Sequence, residues 1–144
     1  MNGRCICGEV EIQIDNAPNR LYRCHCTLCQ KQSGAGANAA FITAKDNVKW
    51  VKGQDKITKY KKPTGFSSNF CSMCGSPVPN IIRGQPYYWI PAGLLEKTAT
   101  FKVSVHLYTL DRAEWDNTAL EGHVFETMPS LEELVELLNE PTST

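Results

Sequence analysis

The chain has 144 residues, with fifteen lysines and arginines against fifteen aspartates and glutamates. That length suits one hydrophobic core and is too short for two independent ones, so a single domain over residues 1–144 is expected. Zero formal net charge, with no long run of like charge, argues against a sequence-independent grip on nucleic acid or an acidic membrane.

The N-terminus, Met1 to Val10, is polar and lacks the apolar core of a secretory signal. The longest nearly apolar stretch, Tyr87 to Leu95, contains Pro91 and Gly93 and falls far short of the ~20 residues of a membrane span. These features predict a soluble, cytoplasmic protein. Along the chain, Val10, Ile12 and Ile14 alternate with polar residues from Glu9 to Asp15, the period-2 pattern of a half-buried strand. Further strands are expected at Ala39 to Thr43, Val48 to Lys52, Lys56 to Lys61, Gly65 to Phe70, Val78 to Ile82, Tyr87 to Ala92 and Phe101 to Tyr108. The lysines between Lys45 and Lys62 are interleaved with Val48, Trp50, Val51, Ile57 and Tyr60, which marks them as a solvated strand face rather than a phosphate track. Near the C-terminus Ser130 and Glu133 form a capping box, and Leu131, Leu134, Val135 and Leu138 recur at helical spacing, so a short helix is expected from about Leu131 to Asn139. Pro141 stops it, and a frayed end is expected beyond. The fold class that follows is mainly β, several antiparallel sheets with a short C-terminal helix.

Seven cysteines in a chain without a signal sequence argue against a disulfide framework, because the number is odd and the expected compartment is reducing. They fall into three clusters: Cys5-Ile6-Cys7-Gly8, Cys24-His25-Cys26-Thr27-Leu28-Cys29, and Cys71-Ser72-Met73-Cys74-Gly75. Residues two apart in an extended chain project to one side, so Cys5 with Cys7, and Cys24 with Cys26, can each present both sulfurs to one ion. A C-x-x-C turn does the same for Cys26 with Cys29 and for Cys71 with Cys74. Structural zinc takes four ligands, whereas catalytic zinc keeps three and one exchangeable position. Seven sulfurs therefore divide as four plus three: Cys5, Cys7, Cys71 and Cys74 in a closed site, and Cys24, Cys26 and Cys29 in an open one. A bridged two-metal cluster, or His25 as a fourth ligand of the open site, remains an alternative partition. In an extended segment His25 points away from the metal of its neighbours, as a substrate-facing or supporting group or as a hydrogen-bonded histidine near the surface. His106 and His123 sit alone in the sequence and are read as structural.

The runs Gly3 to Val10, Cys24 to Gly34 and Phe70 to Pro77 together resemble the glutathione-dependent formaldehyde-activating enzyme family, also called the centromere protein V/GFA domain. The three motifs stand in the family's order and cover most of the chain. The resemblance implies a zinc-bound β-tent, a structural zinc on Cys5, Cys7, Cys71 and Cys74, and a second zinc on Cys24, Cys26 and Cys29. It also implies a carbon-sulfur lyase activity in which glutathione condenses with formaldehyde to S-(hydroxymethyl)glutathione.

On this reading the cofactors are two zinc ions per chain, and the partners are a small thiol such as glutathione and a small aldehyde. A thiol at the open position would lose its proton and attack the carbonyl. Lys31 and Arg23, close to the middle cluster, are candidates to bind the carboxylates of a glutathione-like substrate. The rival reading is a zinc-stabilised binding or scaffold module without turnover. Thiol-disulfide exchange through Cys26 and Cys29 is weaker, because no βαβ context surrounds them. No sequence feature supports a homo-oligomer.

Overall fold

The computed structural model describes residues 1–96, 98 and 100–141. Among these residues the structure is mainly β, with antiparallel and parallel pairings and no closed barrel. The chain divides into two compact units, each assembled from two separate stretches: Met1–Ala17 with Ile42–Ala99, and Pro18–Phe41 with Thr100–Thr144.

In the first unit β1 (Asn2–Arg4) pairs antiparallel with β2 (Glu11–Ile14), which pairs antiparallel with β5 (Val48–Lys52). The expected alternation holds, since Ile12 and Ile14 are buried while Gln13 is exposed. Strands β6 (Ile57–Lys61) and β7 (Ser67–Cys71) form an antiparallel ribbon, and its register sets Ile57 opposite Cys71. A shorter antiparallel pair joins β8 (Asn80–Ile81) to β9 (Tyr87–Pro91). Val10, Ile12, Ile14, Val78 and Ile90 make the core of this unit.

In the second unit β3 (Arg20–Cys24) pairs antiparallel with the start of β4 (Asn38–Ala44) and parallel with β10 (Lys102–Leu107). Strand β10 also runs parallel to β11 (His123–Val124), reached through the long irregular connection 108–122. Most pairings are antiparallel, as expected, and these two ladders of β10 are parallel. Strand direction depends on the path of long connections, which local periodicity does not encode. Two α-helices lie among the described residues. The C-terminal α2 (Leu131–Leu138) is capped as expected, with the Glu133 amide donating to Ser130 Oγ at 3.1 Å and Leu134 and Leu138 buried. The frayed end expected past Pro141 lies outside the described residues. The other helix, α1 (Thr27–Ser33), was not expected, and it holds part of the middle cysteine cluster.

Among the described residues no helix is long and apolar enough to cross a membrane.

Candidate metal centres

The cysteines come together as two groups, Cys5, Cys7, Cys71 and Cys74 in the first unit and Cys24, Cys26 and Cys29 in the second. Within each group all the sulfurs lie within 4.8 Å of one another. All seven cysteines are free of disulfides.

The four-cysteine group is built from two short knuckles. The first follows β1, where the Gly8 amide donates to the Cys5 carbonyl at 3.0 Å and the Val10 amide to Cys5 Sγ at 3.3 Å. The second follows β7, where the Gly75 amide donates to the Cys71 carbonyl at 2.8 Å. Both knuckles close on a left-handed glycine, Gly8 and Gly75 each at φ 78°, a conformation that a side chain would strain. Ser76, which the sequence reading passed over, joins them: its Oγ accepts from the Ile6 amide at 3.1 Å and lies 3.2 Å from Cys74 Sγ. The Ser76 hydroxyl, followed by the backbone amides of Cys7 and Ser76, holds the Cys74 thiol down at about 5 against its ordinary 9.0. Cys5 and Cys7 sulfurs stand 3.6 Å apart, and those of Cys7 and Cys71 stand 3.8 Å apart. Four sulfurs at ~2.3 Å from a central zinc would be separated by about 3.8 Å along each tetrahedral edge, so this donor set fits zinc as it stands.

The three-cysteine group is local. Cys24 is the last residue of β3, Cys26 is the N-cap of α1, and Cys29 lies in the first turn of α1. Cys26 takes the place of the usual Ser, Thr or Asp: its sulfur accepts the Cys29 amide at 3.3 Å, while its own backbone stays extended at φ −65°, ψ 156°. Gly34 ends the helix by donating to the Gln30 carbonyl at 2.8 Å. Cys24 and Cys29 are buried, while Cys26 is half-buried.

Charge is distributed unequally among these three thiols. Hydrogen bonds from Cys24 and Cys29, with further help from the Cys29 and Leu28 amides, hold Cys26 down at about 2 despite its burial. Cys24 is pushed up to about 12, chiefly through its contact with Cys26, and Cys29 is pushed up by both neighbours and by burial. The apoprotein loop thus stabilises one thiolate and resists a second. A cation that binds all three sulfurs removes that resistance, which is the behaviour of a metal site.

His25 does not join the ligands. Its side chain is fully buried, with Nε2 2.9 Å from His106 Nδ1, and it is not among the donors grouped at Cys24, Cys26 and Cys29. Of the two readings for His25, burial sets aside the one that places it near the surface, and His106, read as structural, is buried as its partner. Burial is the first cause lowering both imidazoles, His25 to about 4. The signal for the pairing is a register of β3 with β10 that puts Arg23 opposite His106, a relation formed over eighty residues of chain and unreadable from spacing.

Lys31 is exposed near the end of α1, and Arg23 is half-buried on β3. Tyr108 is a further residue that the sequence did not point to. It follows β10 in a left-handed conformation, φ 56° and ψ 44°, and its hydroxyl is raised by burial and then by the charge on Cys24, Cys26 and Cys29.

The sequence profile of the family described as "Glutathione-dependent formaldehyde-activating enzyme" matches residues 1–111. That span includes all seven cysteines. Among solved structures, the chain is similar to a Rhodobacter sphaeroides protein at 26% identity with a TM-score of 0.56, over 67% of this chain and 89% of that one. No curated protein sequence matches it.

Proposed function

The chain belongs to the glutathione-dependent formaldehyde-activating enzyme family, and on that premise we propose that it is a cytoplasmic, zinc-dependent carbon-sulfur lyase that adds a glutathione-like thiol to a small aldehyde. The reaction forms one S–C bond, breaks the carbonyl π bond and moves the thiol proton to the carbonyl oxygen, giving an S-hydroxymethyl adduct when the aldehyde is formaldehyde. One observation carries the proposal: three sulfurs converge at Cys24, Cys26 and Cys29, and among the described residues no fourth protein donor completes the set.

Zinc held by those three cysteines would supply one exchangeable position at which a substrate thiol is kept as thiolate at neutral pH. The chain's own groups do the rest. The Cys29 amide donates to Cys26 Sγ at 3.3 Å, which orients that sulfur before substrate arrives. Half-exposure of Cys26 gives a route in from solvent, while burial of Cys24 and Cys29 keeps water from the other side. Lys31 and Arg23 are assigned to the substrate carboxylates, and Tyr108, whose hydroxyl is raised by burial and then by the charge of the three cysteines, is the candidate donor to the oxygen that becomes negative.

Calorimetric titration of zinc-loaded protein with glutathione, and with its analogue carrying hydroxyl for thiol, tests the reading. Glutathione should bind with proton release, counted in buffers of different ionisation enthalpy, and the analogue at least ~10-fold more weakly. Cys29→Ala should abolish the difference. Equal binding of thiol and hydroxyl compounds would leave the zinc-stabilised binding module as the better description.

A further inference from the structure

The ring of His25 lies between two of the three sulfur-bearing residues and takes no part in the chemistry above. In an extended segment successive side chains alternate, so whatever fixes the direction of His25 also fixes the directions of Cys24 and Cys26. His25 is held at its amide, its carbonyl and one ring nitrogen. Its amide donates to the Leu107 carbonyl at 2.9 Å, its carbonyl accepts from Gln30 Nε2 at 2.8 Å, and its Nε2 is bonded to His106 Nδ1. Gln30 also reaches the Asp111 carbonyl at 3.0 Å, which ties α1 to the segment after β10.

The opposite edge of the ring is closed by Asp116. His25 Nδ1 and Asp116 Oδ2 face each other at 4.0 Å, and neither has a hydrogen-bond partner. Arg112 holds the other carboxylate oxygen at 3.5 Å and also donates to the Thr118 carbonyl. Space for the carboxylate depends on Gly36, since a Cβ there would come within 2.5 Å of Asp116 Oδ2. Two apolar side chains would fill the volume of the imidazoles with no polar group to satisfy, but they would supply no directional bond.

We infer that the buried His25–His106 pair sets the angle at which Cys24 and Cys26 present their sulfurs, so that both imidazoles are positioning residues of the three-cysteine site and not ligands of it. The inference rests on the reading of that site as a metal centre. It assigns to β10, through His106, a part in the centre although β10 contributes no donor. An imidazole bonded to another imidazole beneath a sulfur loop is thus placed to act as carboxylates and carbonyls do behind metal-bound histidines, where loss of the outer group typically costs 10–100-fold in metal affinity.

Cobalt(II), which reports its ligands through sulfur-to-metal charge-transfer bands, provides the test. The full chain is loaded with two equivalents, the bands of the three-cysteine site are assigned with Cys29→Ser, and each metal is then withdrawn by chelator competition. His106→Phe and His25→Phe should shift those bands and loosen that metal by roughly 10- to 100-fold. The metal on Cys5, Cys7, Cys71 and Cys74 should hold as before, which shows that the protein remains folded. His106→Gln, which keeps a hydrogen-bonding side chain, should recover most of the lost affinity. Unchanged bands and affinities in both phenylalanine variants would overturn the inference, as would loss of both metals together, since the pair would then serve general stability. Wild-type protein that binds cobalt only at the four-cysteine site would remove the metal-centre reading itself, and this inference with it.

Discussion

The two cysteine sites use the same donor atom on opposite kinds of frame. The four-cysteine group draws its pairs from two knuckles, with Cys7 and Cys71 separated by 64 positions in the chain, and each knuckle is finished by backbone amides and a glycine before any metal is considered. The three-cysteine group comes from a single stretch, Cys24 to Cys29, at the junction of a strand and a helix. A bond across a long loop removes more freedom from the unfolded chain than one across a short loop, so the first site contributes to folding in a way that the second cannot. The second has its sulfurs arranged by secondary structure already. On the proposed function, what a bound metal would add there is chemistry.

The sharpest way to break this contrast is to remove one sulfur from each. Cys71→Ser takes away a fully buried donor, and it should cost the protein ~5 kcal/mol or more, seen as loss of soluble, cooperatively unfolding material together with one metal. Cys29→Ser should lower the metal content by one and leave the unfolding midpoint close to that of the wild type, with the cost kept to ~1–2 kcal/mol. Equal losses, read by metal analysis and denaturant unfolding, would abolish the distinction between the sites.

The same contrast explains what could be read from the sequence. Donor spacing is a local property, so the clusters, their division into four and three, and the capped helix after Ser130 were legible. Strands such as β5 and β9 were legible too, because alternation and bounding turns lie within the segment. Helix α1 was not, since its N-cap is a cysteine already counted as a ligand and its seven residues are too few for a helical period to stand out. Pairings that depend on register over long distances were out of reach, and these include the parallel ladders of β10 and the contact of His25 with His106. Ser76 was visible only as a small residue after a glycine. Its role needs the other knuckle, which sequence places far away.

A second difference between the units lies in their response to acid. All three histidines of the chain belong to the second unit. Burial first, and then the charges of His106, Arg23 and Arg112, lower His25 to about 4 from 6.5, against the opposing pull of Asp116. Between those two pH values the unfolded chain binds a proton that the folded chain does not, so stability rises with pH and is lost as pH falls from 6.5 towards 4. The loss from His25 can reach ~3 kcal/mol. His25→Gln cannot titrate, so urea unfolding at several pH values in this window should give a flatter pH slope for the variant than for the wild type, whatever its absolute stability. Parallel slopes would show that the imidazole is protonated in the folded protein.

The smallest expected effect separates the two sites by the acidity of their most reactive thiol. Each group has one cysteine lowered from the ordinary 9.0, Cys26 to about 2 and Cys74 to about 5, and both are half-buried and open to small reagents. Only the thiolate is alkylated, so the rate at each cysteine follows its ionised fraction. After brief removal of metal by chelator, iodoacetamide should label both residues at pH 7. On lowering the pH to 4, one unit below the Cys74 value, the rate at Cys74 should fall about tenfold while that at Cys26 stays nearly constant. Because each cysteine is compared with itself at two pH values, differences in intrinsic nucleophilicity cancel. Peptide mapping by mass spectrometry reads both rates from one sample. If Cys74 stops reacting at pH 7 as well, its thiol has returned towards 9.0, which means that the hydroxyl of Ser76 and the amide of Cys7 no longer reach it and that the first knuckle pair has opened without its metal. Retained labelling of Cys26 in that same sample would then place the dependence on metal for folding in the four-cysteine unit alone.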